Sequence, residues 1–235
     1  YCDQHPDQEP SRILLESWFV ENVILNPAAA GAVRSLLGAN FHLPVLMSNH
    51  RVNCPQKTDK WHVDGNYQFG TELKYLQVFY YQQDTPIEMG PTHILPGSHL
   101  IHNKEKFMGH LNEIRGTIAT SARAGSIFVT VYSIWHRRGS STATGTRNLL
   151  KYFYWRTTSP NRDWLIQPDF NVATAPYHGG PSQTYVEPFR DAVKIAKLFL
   201  WLCGKHNSFQ NSGGQSWPLP ANRIDLPYGL PDELQ

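Results

Sequence analysis

A histidine and an aspartate stand two residues apart in the segment DKWHVDGNYQFG, which runs from Asp59 to Gly70. On a β-strand, residues two apart point to the same face, so the side chains of His62 and Asp64 are expected to enter one space together. A histidine and a carboxylate are two of the three ligands of the 2-His-1-carboxylate facial triad, which holds Fe(II) and leaves coordination positions open. The pair therefore predicts two of the three ligands of a metal site, and the third ligand would be a second histidine.

The second histidine has to be chosen by context, because the chain contains 11 histidines. His136 is the strongest candidate, since it lies in a late pair of predicted strands, AGSIFVTVYSIWHRRG. Arg147 follows it by 11 residues (147 − 136 = 11) and opens another predicted strand. An arginine fork pairs with a carboxylate through two hydrogen bonds. If the metal carried a keto acid, Arg147 could hold the far carboxylate of that acid.

Arg138 is a further candidate for binding an anion. It lies two residues beyond His136, so on a continuing strand both side chains share one face. We interpret Arg138 as a candidate contact for an anionic group of the substrate. The alternative is a surface arginine on a turn that has already left the strand.

Four other histidines crowd one stretch, but they do not predict a zinc site. No cysteine accompanies them, and their spacings match no common zinc pattern. We interpret them as loop and surface residues: His93, His99, His102 and His110.

Composition and charge exclude several classes of protein. The formal net charge is +2 and the basic residues are scattered, so no nucleic-acid partner is expected. The longest apolar run, from Ile195 to Cys203, is too short to span a bilayer. The three cysteines form no CxxC motif, which favours a soluble protein of a reducing, cytoplasmic compartment. Because the sequence begins at Tyr1, a removed targeting segment stays open.

The order of predicted elements indicates a mainly β fold with flanking helices. Apolar periodicity predicts one helix after Ser11 and a second from Pro27 to Gly38. Eight short segments rich in Val, Tyr, Phe, Ile and Thr follow, which is typical of a jelly-roll or cupin-like barrel. We predict a single domain over 1–235, with N-terminal helices in 1–40, a β core in 41–157 and loops, a helix and an extended tail in 158–235.

One helix is predicted within 187–203, where apolar residues recur at helical spacing. This apolar stripe could pack on the β core or on a second copy of the chain, so a homo-oligomer stays open. Packing on the core is favoured.

The motifs resemble one enzyme family. WHVDG, the strand LQVFYYQ, the run EMGPTHILPGSH, then HRRG and Arg147 are similar to the phytanoyl-CoA dioxygenase family, which includes ectoine hydroxylase. That family belongs to the Fe(II)/2-oxoglutarate oxygenases. The resemblance covers roughly 53–156.

The resemblance implies a double-stranded β-helix, a jelly-roll variant, with iron ligands His62, Asp64 and His136. It also implies that Arg147 clamps the distal carboxylate of 2-oxoglutarate, and that Tyr80 is a weaker candidate for the wall of the cosubstrate pocket. The implied reaction uses Fe(II), 2-oxoglutarate and O2 to hydroxylate an unactivated C–H bond of a small-molecule or acyl substrate, with release of succinate and CO2.

Two alternatives stay open at this point. One is a cupin-like metalloenzyme that does not use 2-oxoglutarate. Arg147 argues against this alternative, because such an enzyme has no keto acid for it to bind. The other is a catalytically idle module that binds iron and ligand. The identity of the substrate does not follow from the sequence, because one fold and triad serve many substrates.

Overall fold

The structure is a computed structural model that describes residues 1–64, 72–100, 109–162 and the four positions 198, 201, 202 and 204. Within these residues, no helix is both long and apolar enough to cross a lipid bilayer. The division of 1–235 into one domain with three parts stays a prediction.

The N-terminal segment forms helical structure in two parts. The predicted first helix is broken into a 3-10 turn at Pro10–Leu15, a short helix α1 at Ser17–Phe19 and a π-helical segment at Val20–Ile24. Ser11 does not cap it, because its hydroxyl accepts a hydrogen bond from the Met47 amide at 2.8 Å. This contact ties the N-terminal segment to the first strand.

The second predicted helix is confirmed as α2, Pro27–Leu37. The side chain of Asn26 accepts a hydrogen bond from the Ala28 amide at 3.0 Å and so caps its start. Gly38 ends it with a φ of 81°, a conformation that strongly favours glycine.

Within the part of the chain that the structure describes, nine strands form the β core. They are β1 Met47–Asn49, β2 Val52–Cys54, β3 Tyr75–Tyr81, β4 Thr92–Leu95, β5 Ile118–Ala119, β6 Ser126–Val131, β7 Trp135–Arg138, β8 Gly145–Arg147 and β9 Leu150–Trp155. One sheet has the order β1-β9-β3-β6, a second the order β5-β4-β7, and β2 pairs with β8 as a ribbon. Every pairing is antiparallel.

The chain passes back and forth between the two larger sheets. It runs from β1 in the four-stranded sheet to His62, which bridges to β7 of the other sheet, then back to β3 and on to β4. The strands β6, β7 and β9 continue this alternation. This strand order is that of a double-stranded β-helix. In the described residues the two sheets face each other without hydrogen bonding into one closed barrel.

The two faces of the four-stranded sheet have different roles. One face of β3 carries Leu76 and Val78, which pack with Val33 and Leu37 of α2 in the main apolar core. The other face of β3 carries Gln77, Phe79 and Tyr81, and it is turned toward the three-stranded sheet. The space between the sheets therefore receives the polar side chains of alternate strand positions.

Three expectations about secondary structure need correction or fall outside the described part. Residues 60–64 of KWHVDG form a single β-bridge at His62 and no strand, because only this position of the five pairs with β7. Gly65 lies outside the described residues. The strand predicted from Arg147 is two strands: Arg147 ends β8, whereas β9 begins at Leu150. Most of the helix predicted within 187–203 lies outside the described residues, although Trp201 is buried in the main core.

Candidate metal centre

Three side chains, His62, Asp64 and His136, converge between the two sheets. One ligand atom from each lies within 4.8 Å of the other two. His62 Nε2 is 3.9 Å from Asp64 Oδ1, and His136 Nε2 is 3.3 Å from Asp64 Oδ2. Ligand atoms that bind one metal at about 2.1 Å stand roughly 3 to 4 Å apart, so the spacing fits a shared ion.

The β-bridge between His62 and His136 explains how these two rings meet. Each backbone amide donates to the carbonyl of the other residue at 3.0 Å, and the ring centroids are 4.4 Å apart. Side chains that lie directly opposite in an antiparallel pair project to the same side. The bridge thus brings together residues that are 74 positions apart in the sequence (136 − 62 = 74).

Backbone carbonyls determine which ring nitrogens are free. His62 Nδ1 lies 2.8 Å from the Lys60 carbonyl and His136 Nδ1 lies 3.0 Å from the Ile134 carbonyl. Because a carbonyl only accepts, each Nδ1 carries the proton and the Nε2 lone pair of a neutral ring stays available. A metal-binding histidine commonly has this second hydrogen bond.

His136 is the buried member of the group. Its side chain is 4% exposed, against 22% for Asp64 and 35% for His62. Burial lowers the pKa of His136, against the opposing effect of the Asp64 carboxylate. A neutral His136 directs a lone pair at the carboxylate, and this Nε2 is a buried atom without a hydrogen-bond partner. Two acceptors that face each other are stabilised by a cation between them.

Asp64 stays ionised in this environment. Burial alone would raise its pKa, but the neighbouring His136 and the ammonium of Lys151 lower the pKa of Asp64 well below its usual range. Lys151 Nζ lies 2.5 Å from Asp64 Oδ2, and the Gln77 amide donates to the same oxygen. The carboxylate is therefore held in one orientation.

Arg147 lies buried on β8, 1% exposed. Its Nη2 donates to the Thr92 hydroxyl at 3.3 Å, whereas its Nε has no hydrogen-bond partner. Burial lowers the pKa of Arg147, and the Tyr81 side chain, whose oxygen accepts from the guanidinium, opposes this. A buried guanidinium with an unused donor is suited to receive the carboxylate of a ligand.

The structure does not bring Tyr80 to this site. Tyr80 belongs to the helix-facing side of β3, where its ring packs edge-on against Phe19 with centroids 6.1 Å apart. Its neighbour Tyr81 faces the interior: its hydroxyl lies 2.7 Å from Thr120 Oγ1 and accepts from the Thr92 amide at 2.9 Å. The expectation for Tyr80 is therefore corrected, and the reason is that consecutive residues of a strand point to opposite faces.

A pair of tyrosine variants would test this assignment of faces. Tyr81→Phe is expected to lower the free energy of unfolding by about 1–2 kcal/mol, because buried partners lose a hydrogen bond. Tyr80→Phe keeps its ring against Phe19 and is expected to stay within about 0.5 kcal/mol of the wild type. Urea unfolding of both variants gives the comparison, and equal losses would contradict the assignment.

Arg138 lies on the same side of β7 as His136. It pairs with Thr92, and its charge is close enough to Arg147 to lower the pKa of that residue. Its Nη1 donates to the Lys57 carbonyl at 2.8 Å. The structure thus keeps Arg138 near the interior rather than on a distant turn. Arg137 points the other way, where its guanidinium covers the Trp61 ring at 4.6 Å.

Three residues of this centre were missed in the sequence. Phe79 packs edge-on against the His136 ring at 5.3 Å, and Gln77 and Lys151 hold Asp64. The available signal was a glutamine and a lysine inside otherwise apolar strands, YLQVFYY and LKYFYW. A polar residue in such a strand is costly to bury without a partner, so it indicates one.

Of the four histidines set aside as zinc ligands, the three that the structure describes, His93, His99 and His110, join no metal-binding group. Among the described residues, the one group of metal-binding side chains is His62, Asp64 and His136. His93 and His99 lie elsewhere, with His93 beside Gly139. His102 falls outside the described residues.

No protein-family model matches this sequence, and no curated protein matches it either.

Several solved structures resemble the chain at low identity. SnoN, a non-heme alpha ketoglutarate dependent epimerase from nogalamycin biosynthesis, is 20% identical over 60% of this chain and 57% of its own, with a TM-score of 0.46. HygX from Streptomyces hygroscopicus, with nickel and 2-oxoglutarate bound, is 15% identical over 62% of this chain and 70% of its own, with a TM-score of 0.47. EctD from S. alaskensis, with 2-oxoglutarate and 5-hydroxyectoine, is 17% identical over 61% of this chain and 54% of its own, with a TM-score of 0.47. The chain thus matches little more than half the length of SnoN and of EctD.

Proposed function

We propose that the protein is an Fe(II)- and 2-oxoglutarate-dependent oxygenase that hydroxylates a C–H bond of a small molecule, with His62, Asp64 and His136 as iron ligands. The main support for this proposal is that two histidine nitrogens and one carboxylate, all hydrogen-bond acceptors, surround one point. Two histidine Nε2 atoms with fixed tautomers face one ionised carboxylate, and the buried Nε2 of His136 has no hydrogen-bond partner. Imidazole and carboxylate ligands in this 2:1 ratio suit non-heme Fe(II) with open positions for cosubstrate and oxygen.

Arg147 supports a dicarboxylic keto acid as cosubstrate. It is buried between β4 and β3, with Thr92 and Tyr81 as neutral partners and an unused Nε donor. A buried cation without a carboxylate partner in the described residues lacks a counter-charge. The distal carboxylate of 2-oxoglutarate would supply that charge with bidentate geometry.

The division of labour follows from these contacts. The bound iron and cosubstrate supply the oxidising chemistry, and the chain supplies position and a dry pocket. Phe79 covers one side of the His136 ring, and the apolar side of β3 packs against the helices, so water is kept from that side of the site. His62, the most exposed ligand, marks the side from which a substrate would enter.

An anaerobic titration tests the proposal. Metal-free protein receives Fe(II) and then 2-oxoglutarate, and the visible charge-transfer band of the chelate is expected to appear only after the second addition. Tight iron binding without a band would favour the cupin-like alternative that does not use 2-oxoglutarate. A band without succinate release for any substrate tried would favour the idle binding module.

Arg138 provides a prediction about the substrate. Because it adds a cation beside the site, we propose that the substrate carries an anionic group. In a screen for succinate release, carboxylic acids are expected to stimulate turnover more strongly than their matched primary amides. The preference is expected to fall at least tenfold in Arg138→Ala, because a charge-assisted hydrogen bond is lost. Equal stimulation by acids and amides would contradict this role.

A further inference from the structure

Lys151 is a buried cation inside the metal centre. It lies on β9 between β1 and β3, opposite Ser48 and Phe79, and its side chain is 8% exposed. The ammonium stands 2.5 Å from Asp64 Oδ2 and 5.6 Å from the centre of the Phe79 ring. Its ion-pair partner is thus the same carboxylate that is proposed to bind the metal.

This arrangement creates a conflict of charge when a metal binds. Without metal, Asp64 neutralises Lys151, and a buried ammonium needs such a partner. A divalent ion on Asp64 shares that carboxylate and places two positive charges close to the ammonium. An imidazole that binds a metal is neutral, so the two histidine ligands add no negative charge. The loaded centre therefore has an excess of positive charge that one aspartate does not balance.

We propose that Lys151 is an anion-binding residue of the metal centre. Its ammonium would pair with a carboxylate that binds the metal beside Asp64. This inference rests on the proposed function, where that carboxylate is the metal-binding carboxylate of the keto acid. Arg147 would then hold one end of the dicarboxylate and Lys151 the other. Gln77 keeps its hydrogen bond to Asp64 Oδ2, so the aspartate stays oriented when the ammonium turns to the incoming anion.

A purely structural role for Lys151 predicts a different result from an anion-binding role. If Lys151 only orients Asp64, its loss should weaken the binding of metal, and the affinity for anions should fall only as much as the affinity for metal. If it binds the anion, removal of its charge should strengthen the binding of metal alone, because a repulsion disappears. The same removal should weaken the binding of anions to the metal-loaded protein. The opposite signs make the two roles separable.

The test uses Lys151→Met with Ni(II) as an ion that does not react with oxygen. Calorimetry measures the affinity for Ni(II), and then the affinities of the nickel-loaded protein for 2-oxoglutarate and for azide. We expect Ni(II) affinity to be equal or several-fold higher, and both anion affinities to fall at least tenfold. Lys74→Met is the matched control, since Lys74 Nζ also lies 2.5 Å from a carboxylate, that of Glu72, but on the surface.

The anion affinities of Lys151→Met decide the inference. If they are unchanged, or fall only as much as the Ni(II) affinity falls, Lys151 is a structural partner of Asp64. Wild-type protein that binds Ni(II) but neither anion would also overturn it. If the wild type binds azide but not 2-oxoglutarate, the proposed function fails, whereas the azide difference still decides the role of Lys151. Lys151→Gln repeats the comparison if the methionine variant does not fold.

Discussion

Replacement of Asp64 by alanine is expected to weaken the binding of Fe(II) or Ni(II) at least a hundredfold. Asp64 is the one charged member of the three candidate ligands, and its two oxygens face both histidine Nε2 atoms. Loss of a hundredfold corresponds to about 2.7 kcal/mol, a modest value for a charged metal ligand. Equilibrium dialysis of the metal-free protein against the ion measures the effect directly.

The same variant separates metal binding from stability. Asp64→Ala leaves Lys151 without its carboxylate, so the metal-free variant is expected to unfold more readily by roughly 2 kcal/mol, a value reduced for the partial exposure of Asp64. The double variant with Lys151→Met should recover this stability but not the metal affinity. Asp59→Ala, five positions away (64 − 59 = 5) and exposed, is the control that should retain both. Tight metal binding by Asp64→Ala would place the site elsewhere.

Replacement of Arg147 by methionine is expected to lower the affinity of the metal-loaded protein for 2-oxoglutarate at least a hundredfold. Two charge-assisted hydrogen bonds to a carboxylate contribute roughly 1.5–3 kcal/mol each, and methionine keeps the volume but donates neither. The affinity for the metal alone should change less than about threefold, because Arg147 is not among the ligands. Calorimetric titration of the nickel-loaded variant with 2-oxoglutarate measures both values.

Two further variants refine the test of Arg147. Arg147→Lys keeps the charge without the planar fork, so an intermediate loss of about tenfold is expected. Arg51→Met serves as control, since Arg51 is exposed and pairs with Asp3 at 2.6 Å on the surface. An affinity for 2-oxoglutarate that is unchanged in Arg147→Met would remove the cosubstrate assignment and favour the metalloenzyme alternative.

The local patterns predicted much of the secondary structure. Proline at the start and Gly38 at the end located α2, because both residues act through backbone conformation alone. The β-rich segments located β3, β4, β6, β7 and β9, since alternation of apolar residues is a property of each strand by itself. The break of the first helix at Glu16 was not predictable, because Ser11 is drawn to Met47 across 36 residues.

For the candidate site, too, local features could be predicted from the sequence, whereas features that depend on distant contacts could not. The spacing of His62 and Asp64 is local, and the types of His136 and Arg147 suggested partners for it. Tyr80 was a candidate from the resemblance alone, and the sequence YLQVFYY could not decide which face of β3 is interior, because apolar and aromatic residues lie on both sides. Only the packing of Leu76 and Val78 against the helices decides which side is interior.

The sequence by itself thus determined the chemical types available: two histidines, one carboxylate and one arginine in an order typical of a keto-acid-binding metal site. Tertiary structure decided which groups share one space, since the bridge from His62 to His136 and the approach of Lys151 to Asp64 join residues 74 and 87 positions apart. Such contacts depend on the register of strands from two sheets, and register is set by the burial of whole faces rather than by neighbours in the chain. That is why Lys151, a single lysine in an apolar strand, became part of the centre only once β9 was placed beside β3.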